Sequence, residues 1–242
     1  MYHTALDAVC DGFGYIRAPR PSGSREEAEC ADYLKGRRVV VVGPAPTVIG
    51  SGQGASIDAF DRVVRINHAL PVVPDLIPDV GARTDILYHN LWREQSRAMP
   101  HEQLVPLLSS TVQWLCAVNP YFNGDHPFAD DIDAFLLILG ERLPFRTVSP
   151  RAYVGLKWRM RTRPNAGISA IQDLLSFDIR ELYLTGFTFF QSEKDYQNGY
   201  RGEGYSSWHN QGSQIDQMRT WIRSDPRISV DGGIREVIFA KP

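Results

Sequence analysis

The sequence is short of several features that would fix its class at once. Its three cysteines, Cys10, Cys30 and Cys116, are an odd number without the spacing of a zinc site, so reduced thiols are expected rather than a disulfide framework. No apolar run approaches the roughly 20 residues that a membrane helix needs. The first residues, MYHTALDAVCDGFGYIRAPRP, have neither a basic leader nor a continuous apolar core, so neither a signal peptide nor a transmembrane segment is expected. A soluble, cytoplasmic protein follows. Charge of one sign is not in excess either: 26 Lys and Arg face 28 Asp and Glu, for a net charge of −2. That leaves no global basic field for nucleic acid. There is no internal repeat, no low-complexity tract and no long linker.

What is present is enough apolar side chain, 43% of 242 residues, to build one large domain with a full core. The chain is organised around Arg37–Thr84. Val39–Val42 is a continuous β-branched run, the pattern of a strand buried on both faces of a parallel sheet. It stops at Gly43 and empties into a loop rich in Gly, Pro and Ser. A short helix over Ser56–Phe60, a strand over Arg62–Ile66 and a loop closing on Asp79-Val80-Gly81 follow. Strands that empty into glycine-rich loops bring backbone N–H groups close to phosphates. Yet Gly43-Pro44-Ala45-Pro46 lacks the second glycine of G-x-G-x-x-G, and no Gly-Lys-Ser/Thr follows, so neither a dinucleotide nor an ATP site is supported. The loop reads equally as a ligand cradle or as a tight turn in which Gly43 takes a positive φ.

Further along, strand and helix signals alternate. Strands are expected over Thr84–Tyr88, Thr111–Val118, Arg146–Ser149, Leu182–Phe187 and Val237–Ala240. Helices are expected over 4–18, 24–35, Pro100–Ser109, Ile132–Arg142, Ser169–Ser176 and Gln214–Arg223. The alternation predicts an α/β fold, a Rossmann-like, mostly parallel sheet flanked by helices. Residues 1–36 read as a helical extension packed on a single domain over 37–242. Lys157, Arg159, Arg161 and Arg163 alternate with other residues, which predicts an extended edge with one cationic face, either solvated or gripping an anion. Gln191–Gly212 is polar and rich in Tyr and Gly, and reads as a lid over a ligand.

Three places carry candidate chemistry. Asn67 ends a strand on the carboxyl side, where open α/β sheets bind ligands; its amide suits a base edge or ribose, or simply caps a turn, and His68 beside it reads as a hydrogen-bonded loop residue. Asn165-Ala166-Gly167 opens a helix whose N–H groups and dipole favour a phosphate or carboxylate, or else Asn165 is only a cap. His209 stands where the polar loop meets a helix, as a base for a sugar hydroxyl or as a structural loop histidine.

Taken in order, these segments resemble the sialyltransferases of glycosyltransferase family 29. The family's large motif matches Val41-Val42-Gly43, Gly50-Ser51-Gly52, the block from Ile57 to Asn67, and Asp79-Val80-Gly81-Ala82-Arg83-Thr84; its small motif matches Pro164–Ile168 and Leu182–Phe187, and the motif histidine falls on His209. The resemblance implies a GT-A-variant fold and a metal-independent, inverting transfer of a 2-keto sugar acid from a CMP-activated donor to a glycan or small-molecule acceptor, with no cofactor. It implies His209 as general base. It implies donor contacts from Gly43, Pro44, Ala45, Ser51, Asn67, Asn90, Asn165, Ala166, Gly167, Gly186, Tyr196 and Tyr205. No D-x-D element sits at a suitable strand end; Asp130-Asp131-Ile132-Asp133 heads a helix. The chain also departs from the family. Gly43-Pro44-Ala45-Pro46 replaces a G-N-S-G turn, Asn165-Ala166-Gly167 loses hydroxyls, and Gln214 stands where a glutamate is usual. The two cysteines that link the motifs in Golgi enzymes are missing, with Arg38 and Phe177 near their places. Transfer of Kdo or Kdn instead of sialic acid, a CMP-sugar hydrolase, a transferase acting on a nucleoside-like small molecule, and a non-catalytic nucleotide-binding module all stay open.

Overall fold

The computed structural model describes residues 24–67, 69–91, 101–118, 135–189 and 209–239. Seven strands make one sheet: β1 (Arg38–Val42), β2 (Arg62–Ile66), β3 (Ile86–His89), β4 (Trp114–Ala117), β5 (Phe145–Thr147), β6 (Glu181–Thr185) and β7 (Ile228–Val230). Their order is β5-β4-β3-β2-β1-β6-β7, and every pairing is parallel. The order reverses between β1 and β6. An α/β sheet opens its crevice at such a switch point, beyond the carboxyl ends of the strands.

Alternation along each strand divides the core into two layers. Val39 and Val41, with Val64, Ile86, Tyr88 and Leu184, face the larger one. It is covered by α1 (Ser24–Leu34), α2 (Pro150–Met160), α3 (Ala166–Leu175), α4 (Gln211–Ser224) and α5 (Gly232–Phe239). Val40, Val42 and Val63 face the other layer, where Val48, Ile57, Phe60 and Val80 pack, and Leu87 and Leu115 do the same toward the β4–β5 edge. Burial on both faces is why β1 reads as an unbroken valine run.

Two expectations fail. Residues 157–163 are not an extended edge: α2 runs through Met160, capped at Ser149, whose Oγ accepts the Ala152 N–H, with Pro150 in the first turn. Tyr153, Leu156 and Met160 are buried at a helical spacing that outweighed the alternation of charge. Val237–Ala240 is not the last strand. Asp231 Oδ1 accepts the Ile234 N–H at 2.7 Å and starts α5, in which Ile234 and Ile238 are buried four residues apart. The last strand is instead Ile228–Val230, too short for its pattern to stand out. The N-terminal helix expected over 4–18, His68, and residues 191–208 of the lid expected over Gln191–Gly212, Tyr196 and Tyr205 among them, lie outside the described residues, while Gln211 and Gly212 open α4.

A charged group sits inside the larger layer. The Arg146 side chain is 0% exposed and that of Asp173 3%. Arg146 Nη2 donates to Asp173 Oδ1 at 3.0 Å, the Tyr88 hydroxyl donates to Asp173 Oδ2 at 2.6 Å, and Glu27 on α1 takes the guanidinium's outer edge at 2.9 Å. Cys30 and Cys116 are reduced thiols beside it; burial pushes Cys116 up to about 12. No helix among the described residues is long and apolar enough to cross a membrane.

Candidate active site

Because all strands are parallel, their carboxyl ends share one edge. Asn90 follows β3, Asn67 follows β2, Gly43 follows β1, Gly186 follows β6 and Asp231 follows β7, in the spatial order of the sheet.

At the switch point two backbones touch. Gly43 N–H donates to the Thr185 carbonyl and Ala45 N–H to the Gly186 carbonyl, both at 2.8 Å. A Cβ on Gly43 would overlap the Gly186 carbonyl, and one on Gly186 would come within 2.6 Å of the Gly43 carbonyl oxygen. Gly43 is therefore required by close approach; the residue with positive φ is Gly186, at 73°. Asp231 fixes this turn from behind, its Oδ2 accepting the Thr185 hydroxyl at 2.7 Å and the Gly186 N–H at 3.0 Å.

This arrangement changes the expected role of the glycine-rich loop. Gly43 and Ala45 spend their N–H groups on β6, and Pro44 and Pro46 have none. Gly50 and Gly52 donate to the Asp79 carboxylate at 2.7 and 2.8 Å, which holds that carboxyl below the usual range. Ser51 is exposed, its Oγ accepting the Gln53 N–H at 3.4 Å, and belongs to this braced loop rather than to the Gly43–Gly186 contact. The amides of Gly43, Ala45, Gly50 and Gly52 are thus already bonded within the protein and do not cradle a phosphate. The remaining motif residues also serve the fold. Asp58 accepts the Ala82 and Arg83 N–H groups at 2.9 and 3.0 Å. Buried Arg65 donates to the Val80 and Gly81 carbonyls at 2.7 and 2.8 Å.

Asn67 has φ 51° and its Oδ1 accepts the Asn90 N–H at 3.0 Å. The structure thus brings these two together, with Asn67 half-buried at the crevice edge.

The start of α3 supplies what the loop does not. Asn165 caps it, its Oδ1 accepting the Ile168 N–H at 2.8 Å. The first-turn N–H groups of Ala166 and Gly167 have no carbonyl a turn earlier in the helix to bond. A Cβ on Gly167 would come within 2.8 Å of the Phe187 ring, the same ring that a Cβ on Gly43 would reach at 3.0 Å. Phe187 therefore packs between the β1 turn and the α3 terminus, and Gly43, Gly186, Asn165, Ala166 and Gly167 form one surface.

His209 joins that surface through the segment leading into α3. Its Nδ1 lies 2.9 Å from the Arg163 carbonyl. A carbonyl only accepts, so Nδ1 carries the proton and the neutral ring's basic lone pair is on Nε2. Burial, with the Arg163 charge adding to it, lowers the imidazole pKa below its usual 6.5, while the carbonyl bond works against the shift. The ring is neutral near pH 7. Gln214, fully buried, donates from Nε2 to the same Arg163 carbonyl at 3.1 Å and accepts the Asn165 N–H through Oε1 at 3.4 Å. An amide makes both bonds, whereas a carboxylate there would accept only. Gln214, Phe187 and Asp231 were not among the expected site residues. Asp231, three residues before Ile234 and just ahead of Gly232-Gly233, carried a helix-cap signal that marks it.

The chain is similar to known proteins in part of its sequence and in its fold. Residues 18–118 match the sequence model of glycosyltransferase family 29 (sialyltransferase). No curated protein is similar to the chain at the level of sequence. Among solved structures, a mammalian sialyltransferase is similar at 19% identity with a TM-score of 0.53, covering 90% of this chain and 82% of that one. The mammalian enzyme in complex with Gal-beta-1-3GalNAc-ortho-nitrophenol is similar at 18% and 0.52, covering 88% and 81%. The sialyltransferase CstII from Campylobacter jejuni, in complex with the substrate analogue cytidine-5'-monophosphate, is similar at 13% and 0.51, covering 81% and 79%. Residues 18–118 are thus similar to glycosyltransferase family 29, the sialyltransferases, and the chain carries the fold of those solved structures.

Proposed function

We propose that this chain, as one catalytic domain over residues 37–242, transfers a 2-keto sugar acid from its CMP-activated form to an acceptor hydroxyl, by direct displacement with inversion and without a metal. Sialic acid is the first candidate, with Kdo and Kdn as related donors. His209 Nε2 takes the acceptor proton, the acceptor oxygen forms a bond to the anomeric carbon, and the bond to CMP breaks with its electrons leaving on phosphate. Negative charge therefore builds where the α3 terminus presents the Ala166 and Gly167 N–H groups. The Gly43–Gly186 contact gives the nucleotide a close backbone wall, and the Asn67–Asn90 pair a polar edge.

The observation that carries this reading is the bond from His209 Nδ1–H to the Arg163 carbonyl, 2.9 Å long. It fixes the tautomer that a base needs, one carbonyl away from the α3 terminus. The test is His209→Ala, assayed with CMP-sialic acid, CMP-Kdo and CMP-Kdn against glycan acceptors. Transfer should fall by at least ~10²-fold with CMP affinity nearly unchanged; wild-type turnover in the variant would sink the assignment. CMP release that is indifferent to the acceptor would assign a hydrolase instead.

A further inference from the structure

From residue 147 to 172 the sequence holds five cations, Arg151, Lys157, Arg159, Arg161 and Arg163, and no Asp or Glu, in a chain whose net charge is −2. Lys157 and Arg159 lie in the last turn of α2, where cations complement the helix dipole. That accounts for two of them. Arg161 lies beyond the helix, exposed, with φ 53° and ψ 26°, a conformation that costs a non-glycine residue roughly 1–2 kcal/mol. Trp158, beside them, is 69% exposed, although burying an indole would be strongly favourable.

This cationic turn is bonded to the base. Arg163 carries the carbonyl that orients His209, and the Thr162 hydroxyl accepts the Asn210 N–H at 3.2 Å. Two residues of chain span at most about 7 Å, so the Arg161 backbone lies within that distance of Arg163. The α3 terminus and the Gly43–Gly186 turn are claimed by the donor. A second substrate must present its hydroxyl to His209, whose ring the cationic turn holds through the Arg163 carbonyl.

We infer that the end of α2 and the turn through Arg163 bind the acceptor, and that the acceptor is an anionic saccharide whose charged group is held by Arg159 and Arg161 while a sugar face lies on Trp158. Arg159 now donates to Gln172 Oε1 at 2.8 Å, a neutral partner that an anion displaces readily. Guanidinium forks bind carboxylates and phosphates alike through paired N–H donors, so the shared requirement is an oxyanion. The inference rests on the transferase reading above.

The test uses the full chain and three matched aryl glycosides: a galactoside, the corresponding galacturonide and the galactoside 6-phosphate. Titrated calorimetrically without donor, the two anions should bind at least ~10-fold more tightly than the neutral glycoside, and a preference between them identifies the group recognised. Arg159→Glu/Arg161→Glu should abolish that difference and raise the KM for anionic acceptors, while Arg159→Lys/Arg161→Lys retains most of it. CMP affinity and Tm should stay as in the wild type. Trp158→Ala should weaken binding of all three. Equal binding of neutral and anionic glycosides, or charge reversal without effect, would overturn the inference. Arginine-dependent anion binding with no transfer to any glycoside leaves this surface standing and removes the transferase reading. Transfer as efficient to the neutral glycoside as to the anions does the opposite.

Discussion

The Arg163 carbonyl accepts the Nδ1–H of His209 at 2.9 Å and the Nε2–H of Gln214 at 3.1 Å. One backbone oxygen thus sets the direction of the proposed base and ties it to a buried amide.

The pH dependence follows from that contact. Burial depresses the His209 pKa, so the acid limb of kcat/KM should fall below pH 6.5 in a pH–rate profile. A histidine with a depressed folded pKa favours folding fully above its unfolded value of about 6.5 and loses that contribution as the pH drops below it. Tm should therefore decline on acidification, and His209→Gln should reduce the decline. Gln214→Glu places an acceptor against the Arg163 carbonyl and a negative charge near the ring. The acid limb should then move upward and kcat should fall. An unmoved limb would show that the buried amide does not set the electrostatics of His209.

The switch-point contact predicts a contrast between two glycines of one loop. Gly43→Ala forces a Cβ into the Gly186 carbonyl, with a stability cost of about 1–3 kcal/mol and a loss of CMP affinity of at least ~10-fold. Gly50, at φ 77° with nothing within 4 Å of where a Cβ would stand, should lose about 1 kcal/mol as Ala and keep its affinity for CMP. Chemical denaturation and calorimetry on the two variants separate strain from site geometry.

The core ion pair predicts an asymmetry. Arg146→Met leaves Asp173 buried without its cation, which should cost about 3–5 kcal/mol in urea unfolding. Replacing both, as Arg146→Met/Asp173→Leu, should recover much of that loss. The guanidinium lies 5.1 Å from the Phe177 ring centroid, so a methionine fits among its neighbours.

The sheet was largely legible because parallel strands buried on both faces leave unbroken apolar runs: β2 matches Arg62–Ile66 residue for residue, and β1 and β3 differ from their signals by one or two positions. β7 was not, since three residues, one of them exposed, carry no periodicity. α2 was misread because its charge alternation hid Tyr153, Leu156 and Met160 behind basic neighbours. Within the candidate site, His209, Asn165 and Gly167 stand out by residue type, because each side chain or its absence does local structural work. Asp231 and Gln214 act on backbone groups 45 to 51 positions away; the cap signal at Asp231 announces only the start of α5, and neither neighbourhood records the distant bond. The large-motif charges carried the family resemblance, and in the structure Asp58, Arg65 and Asp79 bond to backbone groups of their own stretch.

Asp231 also sets an order of assembly. The wall that begins at Gly43 is closed by Gly186 and latched by a carboxylate that follows β7. A nascent chain therefore carries the whole family-matched segment long before it has a complete site. Until residue 231 has left the ribosome, the β6 turn lacks its latch, so the Gly43–Gly186 wall is finished by a segment made long after the one that begins it.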